Sequence, residues 1–545
     1  MNNLITLKNI SLIPEFFLGL SLIYLLIFGS IISTHKTRPL IQDLILKLSV
    51  LILILSLFLV FNDKLWVIEN LTFNNTIIYD YLSFFSKITI LVFSLISILM
   101  IRFYIKDQKL NQFEYTIIIL LAVLGFLLLC SANDLITAYL AIELQSLAFY
   151  VMASFKKKSS FSVEAGLKYF VLGSFSSALF LFGSSLIYGV TGTLNFEDFK
   201  DLFLNSRPKE DLADSIEFLF GSSLIYGVTG ALNLEDFKDL FLNSRPKEYL
   251  ADSIEFIPFE SDLVQIASLF IIVSLFFKLA VAPIHAWSPD VYEGSPTSST
   301  IFFAVVSKLS ILVLLTRIFQ YSFHGFIYNW RYYIVVIAVL SVIVGSFTAL
   351  EQKKLKSLLA YSSVSHIGYI LIAFSTGTFE GIQSMFAYIL IYMLAGSCVW
   401  SIFLILRLKS FHFKKQNKDL TDISLLVKSN NIIAICFSIV LLSIAGFPPL
   451  VGFFTKMSIF LSALESSMYL VSVISILASV ISTFYYIRII KIIYFENLLV
   501  GRLYYPLRFI ETIIVITLFF SFIFLFINPT LLYLISYKLS LLGFF

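Results

Sequence analysis

From about residue 12 onward the chain is a succession of apolar runs, most close to 20 residues long and most closed by a short polar or basic stretch. A helix needs about 20 mostly apolar residues to cross the hydrocarbon of a bilayer. In that solvent every backbone amide and carbonyl must find its partner inside the fold. The pattern predicts an all-α polytopic membrane protein with about fourteen transmembrane helices. They are expected near residues 12–32, 44–61, 79–101, 115–131, 133–153, 165–190, 262–293, 297–317, 331–350, 355–375, 381–406, 430–464, 467–493 and 509–528. Only 13% of the residues are charged, about half the share of a soluble domain. That leaves little room for an independent soluble domain. The N-terminus, MNNLITLKNISLIPEFF, has neither a basic stretch leading to a cleavage site nor an Arg-rich transit composition, so the first run is expected to stay as a span.

Two spans carry their own interruption. The seventh contains KLAVAPIHAW and the twelfth IAGFPPLVGFF, and proline both removes an amide donor and clashes with the preceding turn. Within a membrane such a break is tolerated where the freed groups face protein or water, and paired broken helices in two halves of a chain are a pattern of transporters. Lys and Arg alternate in step with the spans. The loops holding HKTR (35–38), RFYIKDQK (102–109), KKK (156–158), KKLK (353–356), RLKSFHFKKQNK (407–418) and RIIK through PLR (488–508) all follow odd-numbered spans, whereas the short loops after even-numbered spans are acidic or neutral. Arg317 and Arg331 go mildly against this order. The basic loops are therefore expected on the cytoplasmic or matrix side, with both termini opposite.

One stretch is written twice. Residues 181–218 and 219–256 align without a gap and differ at Thr193/Ala231, Phe196/Leu234 and Asp211/Tyr249. The apolar core of the second copy, Ile216 to Val228, is too short to span. Were it to cross, every later loop would change sides. Copy one is expected to close span six, and copy two to lengthen a loop on the face opposite the basic loops.

Charges at mid-span are the informative residues, since each costs about 2.5–3.5 kcal/mol at a helix centre. Glu143 and Lys308 lie in the middle of their spans; Lys278 and His285 flank the first break; Lys456 follows the second; and His366 is central in AYSSVSHIGYI. Lys47, Lys87 and Arg488, nearer helix ends, are expected to snorkel to the interface. One carboxylate, three lysines and two histidines at similar depth read together as a proton path. Cys130, Cys398 and Cys436 have no CxxC or Cys/His spacing, and buried, inert thiols are expected. No phosphate-binding glycine loop, haem ligand pair or iron–sulfur cysteine cluster is evident, so no cofactor, no metal and no nucleic-acid partner is expected of this chain. The energy to move charge is expected to come from a partner or an ion gradient.

The stretches AIELQSLAFYVMASFKKKSSFSVEAGLKYFVLGSFSSALFLFGSSLIYG, FKLAVAPIHAWSPDVYEGSPT, LLAYSSVSHIGY and IAGFPPLVGFFTKM resemble the antiporter-like membrane subunits of respiratory complex I. The resemblance runs from about residue 75 to 495. It implies two inverted five-helix repeats, each with one discontinuous helix. The implied division is a three-helix segment (1–110), a first repeat (111–320) carrying the duplicated outer loop 193–261, a second repeat (321–495) and a C-terminal helix (496–545). It further implies that Glu143 and Lys278 form an ion pair at an input half-channel. Lys308 would be the connecting lysine, with His366 on the same axis, Lys456 at the distal end and His285 near the axis. The expected role is a proton-translocating subunit of an NADH:ubiquinone reductase, with flavin and iron–sulfur clusters on partner subunits. Other complex I subunits, especially neighbouring antiporter-like and small membrane subunits, and lipids such as cardiolipin are the expected partners. The apolar, Phe-, Ile-, Tyr- and Asn-rich composition fits a chain translated inside an organelle, hence the mitochondrial inner membrane with the basic loops in the matrix. Two rivals are a subunit of a multi-subunit cation/proton antiporter and a structural membrane scaffold.

Overall fold

Because the apolar runs must satisfy their own backbones, they fold as helices, and the short polar stretches between them turn the chain. The computed structural model describes residues 12–33, 41–62, 70–107, 113–205, 261–409, 414–416, 419–424, 426–496 and 508–544. The first six spans are α1 (Ile13–Ser33), α2 (Ile41–Asn62), α3 (Tyr81–Asp107), α4 (Glu114–Ser131), α5 (Leu135–Ala153) and α6 (Ser160–Thr191). A short helix, α7 (Phe196–Asn205), follows. Span seven is split into α8 (Ser261–Leu279) and α9 (Trp287–Gly294), and span eight, α10, runs from Thr297 to Ser322. Then come α11 (Ile327–Glu351), α12 (Leu355–Ser375) and α13 (Phe379–Ile405). The second split span is α14 (Asn431–Ala445) with α15 (Val451–Glu465), and α16 (Tyr469–Tyr494), α17 (Phe509–Ile527) and α18 (Thr530–Phe544) complete the chain. Among the described residues eleven unbroken helices are long and apolar enough to cross a membrane. The two split spans and the C-terminal pair fill the remaining places of the fourteen-span pattern.

Burial sorts these helices into an inside and an outside. The apolar stretch of α10 is buried throughout and that of α12 almost so, whereas α1, α6, α11 and α16 turn most of theirs outward. Lys308 and His366 thus sit on the two innermost helices. Helix α10 is not uniformly α-helical: residues Phe302–Val306 and Thr316–Ser322 are π-helical and bracket the α-helical segment Ser307–Leu315 that bears Lys308. π-helical turns inside α-helices are rare and concentrate at functional sites.

Both proline breaks lie where the sequence put them, and their freed backbone groups are satisfied by protein. At the first, the Trp287 indole donates to the Phe277 carbonyl at 3.0 Å, and the Val281 amide donates to Phe276 at 3.0 Å. At the second, Gly446 ends α14 in the left-handed region (φ 88°), and Gly452 presses so closely on Ser443 that a Cβ would lie 1.9 Å from its carbonyl oxygen. Only glycine fits either position.

Beyond the ends of α2, α4 and α6, three connections are tied into one knot. The tight turn between β1 (Asn70–Thr72) and β2 (Ile77–Tyr79), with Phe73, Asn74 and Asn75 at positive φ, offers the Asn75 carbonyl to both Asn133 and Asn195. The Leu135 amide donates to Leu194 at 3.1 Å and the Phe196 amide to Asn133 at 3.0 Å. Copy one of the duplication therefore does close span six, which ends at Gly192 (φ 71°). Helix α7, also from copy one, packs Phe203 against Phe323 and Phe326 at ring-centroid distances of 5.2 and 5.0 Å. Copy two, residues 219–256, lies outside the described residues.

Two expectations need correction, and one exception finds its cause. Lys87 does not snorkel: it is wholly buried and pairs with Glu15 of α1 at 2.7 Å, over the Tyr79 ring. Arg317 breaks the loop-charge order because it is an internal ion-pair partner, bonded to Asp80 at 2.8 Å and to the Cys130 carbonyl at 3.2 Å. The C-terminus is not one helix, since α17 and α18 meet at 84° around Asn528 and Pro529. The fifteen residues of α18 are too few to cross and instead lie against α13, where Gln383 donates to the Tyr533 carbonyl. Lys47 and Arg488 behave more nearly as expected: Lys47 is largely exposed, and Arg488 is half-buried with a bond to the Leu350 carbonyl. All three cysteines are buried thiols.

Candidate proton path

Four of the six candidate residues have their side chains buried in a single band through the middle of the helices. Lys278 is 8% exposed, Lys308 2%, His366 2% and Lys456 4%. Each is held by a different helix, and each is met by tyrosine.

At the first end, Glu143 projects from the middle of α5, and Lys278 from the last turn of α8, where the break begins. The pair faces without touching: no carboxylate oxygen of Glu143 comes within 4 Å of the ammonium, though it is the charge that acts on it. The predicted contact ion pair is therefore an open pair. Lys278 instead approaches the Tyr150 hydroxyl at 3.5 Å, two turns along α5 from Glu143. Glu143 Oε1 and Gln145 Oε1 are buried with no protein partner. Between Lys278 and α10 lies a cavity of about 10 Å³, bordered by Gln145, Ser146, Tyr169 and Ser307. That is room for about one water molecule, and its walls supply the polar partners such a water needs.

In the centre, Lys308 donates to the Tyr392 hydroxyl at 3.1 Å and lies 4.9 Å from the centre of that ring. The Tyr392 ring also lies beside His366, ring centroids 5.4 Å apart. Both nitrogens of His366 are engaged: Nδ1 with the Tyr388 hydroxyl at 2.7 Å and Nε2 with the Tyr486 hydroxyl at 3.0 Å. Tyr388 and Tyr392 are four residues apart and so share one face of α13.

At the far end, Lys456 donates to the Ala445 carbonyl at 2.8 Å, the group that the second break frees at the end of α14. Its ammonium also lies 5.3 Å from the centre of the Tyr369 ring, which in turn is 6.4 Å from His366. His285 stands apart. It lies in the first break, half-buried, with Nδ1 unpartnered and its ring 6.0 Å from Tyr361, and no hydrogen bond joins it to the band.

The tyrosines are the component that a search for charges passes over. Tyr150, Tyr369, Tyr388, Tyr392 and Tyr486 supply the hydroxyls and ring faces against which the cations are buried, and cation–π contact is a known way to hold a desolvated ammonium. The spacing of Tyr388 and Tyr392 in FAYILIYML was the one signal that could have exposed them. The band thus sets titratable groups and hydroxyls in succession, with one cavity of water size beside Lys278.

Comparison with known proteins finds relatives along almost the whole chain. A profile described as "NADH:quinone oxidoreductase/Mrp antiporter, TM" matches residues 132–212 and 210–482. Its two pieces meet inside the duplicated region. The chain is 39% identical over 536 residues to NADH-ubiquinone oxidoreductase chain 2 of Marchantia polymorpha, covering 98% of both chains. It is 34% identical over 493 residues to NADH-quinone oxidoreductase subunit N of Paramagnetospirillum magneticum, covering 90% of this chain and 89% of the relative. A chain in the structure of respiratory complex I from Thermus thermophilus superposes with a TM-score of 0.71 at 25% identity, covering 96% of this chain and 98% of the other. With its two broken helices, its buried lysines and these matches along almost its whole length, the chain belongs to the NADH:quinone oxidoreductase/Mrp antiporter membrane family.

Proposed function

We propose that this chain is a proton-translocating membrane subunit of respiratory complex I, a multi-pass protein of the mitochondrial inner membrane. NADH oxidation and ubiquinone reduction are carried by flavin and iron–sulfur clusters on other subunits, and this chain contributes proton movement to the enzyme. The observation that carries the proposal is the band of buried titratable groups from Lys278 through Lys308 and His366 to Lys456, set between two broken helices. A scaffold has no use for three buried lysines that meet hydroxyls, ring faces and a carbonyl in place of contact carboxylates. The 39% identity to a chain 2 relative favours complex I over a stand-alone exchanger.

In this reading Glu143 and Lys278 are the entry, and the open geometry of the pair leaves a place for the incoming proton. Lys308 connects the halves, His366 continues the band, Lys456 is the distal site, and His285, beside the entry break, takes a supporting place. Spans four to eight and nine to thirteen form the two inverted repeats, each with its broken helix fourth of five. The basic loops face the matrix, with the termini and the duplicated loop on the other side. Neighbouring antiporter-like and small membrane subunits, together with lipids such as cardiolipin, surround it.

Lys308→Met in the assembled complex tests the reading. Methionine keeps the length and removes the charge, so the complex is expected to assemble while NADH-driven proton pumping in vesicles falls by about tenfold or more, within the range of a positioned proton-transfer group. Unchanged pumping at normal assembly would return the chain to the scaffold class. Loss of activity with flavin and iron–sulfur partners absent from the purified complex would favour the exchanger.

A further inference from the structure

The contacts of His366 carry more than its position on the axis. A neutral imidazole has one N–H and one lone pair, so its two nitrogens cannot both donate or both accept. Here each nitrogen faces a tyrosine hydroxyl, Tyr388 at 2.7 Å and Tyr486 at 3.0 Å, and all three groups are buried. One hydroxyl must therefore donate to the ring while the other accepts from it. The triad has a direction, and two directions are possible for the same heavy-atom positions.

We propose, building on the proton-path reading, that Tyr388, His366 and Tyr486 form a two-state relay that passes one proton and then must be reset. The balance is as follows. In the first state Tyr388 donates its O–H to Nδ1, and the Nε2–H donates to the Tyr486 oxygen. A proton from the Lys308 side, reaching the Tyr388 oxygen through water beside Tyr392, displaces the hydroxyl hydrogen onto Nδ1. The Nε2 hydrogen moves to the Tyr486 oxygen, and the Tyr486 hydrogen leaves to water. Within the triad three O–H or N–H bonds break and three form, with one more broken on the delivering water and one more formed on the receiving water, and no group of the triad keeps a net charge. The end state has Nδ1–H donating to Tyr388 and Tyr486 donating to Nε2. A second proton cannot follow until the ring has released the Nδ1 proton to water and taken one from water on Nε2, which returns the first state with no net charge moved and requires a motion that opens both hydrogen bonds. Tyr388 and Tyr486 are thus relay residues in their own right, and the triad passes protons singly.

The geometry supports a relay over a static clamp. Three helices each bring one member, Tyr388 from α13, His366 from α12 and Tyr486 from α16, so a motion between any two of them lengthens a bond in the chain. Tyr392, one turn from Tyr388, links the triad to Lys308 through a 3.1 Å hydrogen bond.

The test uses the intact complex in vesicles, with pumping normalised to assembled complex. His366→Ala, Tyr388→Phe and Tyr486→Phe are compared; phenylalanine keeps the ring and removes only the hydroxyl. Each is expected to lower NADH-driven pumping by about tenfold or more, as for a positioned proton-transfer group, and the double Phe variant to fall no further than either single. If His366→Ala pumps poorly while both Phe variants pump at the unmodified rate, the relay is wrong and the path through His366 stands. If His366→Ala itself pumps normally, the path fails and the relay with it. The solvent-isotope dependence of pumping in the unmodified complex decides where variants do not assemble. A curved dependence on deuterium fraction, the mark of several hydrogens moving together, is expected, and a straight line overturns the relay.

Discussion

Lys308 keeps its ammonium buried against a single hydroxyl, that of Tyr392, and this makes the oxygen of one tyrosine a sensitive position. Tyr392→Phe leaves the ring and its contact with the cation but removes the 3.1 Å hydrogen bond. An unmade bond to a buried polar group costs about 1–3 kcal/mol, more when it is charged. Pumping by the assembled complex is expected to slow several-fold, with assembly on native gels unchanged. A second residue-scale prediction concerns the buried Glu15–Lys87 pair. Lys87→Met alone leaves a carboxylate stranded in the interior, and breaking such a pair costs about 3–5 kcal/mol. The thermal stability of the purified complex should fall for Lys87→Met and recover in large part for the double change Glu15→Gln with Lys87→Met. Sequence pattern found the candidate cations, because a charge in an apolar run is conspicuous. It could not find what they touch. Tyrosine adds no charge to such a run, and Glu15 stands 72 positions before Lys87, a distance that helical periodicity does not bridge.

At the scale of elements, the second break is held by two glycines that act differently. Gly446 needs its left-handed backbone, and a Cβ there would come 2.8 Å from the Lys456 side chain. Gly446→Ala is therefore expected to displace Lys456 from the Ala445 carbonyl at a cost of about 1–2 kcal/mol, read as slowed pumping in a complex that still assembles. Gly452→Ala meets backbone, 1.9 Å from the Ser443 carbonyl oxygen, and should instead reduce the amount of assembled complex on native gels. The spans and both breaks were legible from residues alone, since the bilayer fixes the length of a run and proline marks its interruption. The π-helical turns beside Lys308 were not. Their residues, FFAVV and TRIFQYS, carry no proline or glycine, and the extra residue per turn is set by packing within the interior. The split of the C-terminus into α17 and α18 was half legible, in that Pro529 marks the corner but the docking of α18 on α13 left no local trace.

For the whole molecule, Arg317 goes against the loop-charge order because it pairs inside the fold with Asp80, 237 positions away. The second copy of the duplication lies between two described points of the chain. The chain leaves α6 through the asparagine knot and stays anchored through α7 before reaching Asn205, and it is helical again from Ser261. Removing residues 219–256, one full copy, should therefore leave assembly and pumping within about twofold of the unmodified chain. Shortening a connection about threefold changes its closure free energy by only about 1 kcal/mol.

The knot of Asn75, Asn133 and Asn195 has a practical meaning as well. It fastens the chain to the body within copy one, before the second copy begins, so the hold on α6 and α7 does not depend on residues 219–256. The stretch between Asn205 and Ser261 is thus a splice point: an affinity handle or a small fluorescent reporter placed there would ride on the complex without touching its moving protons.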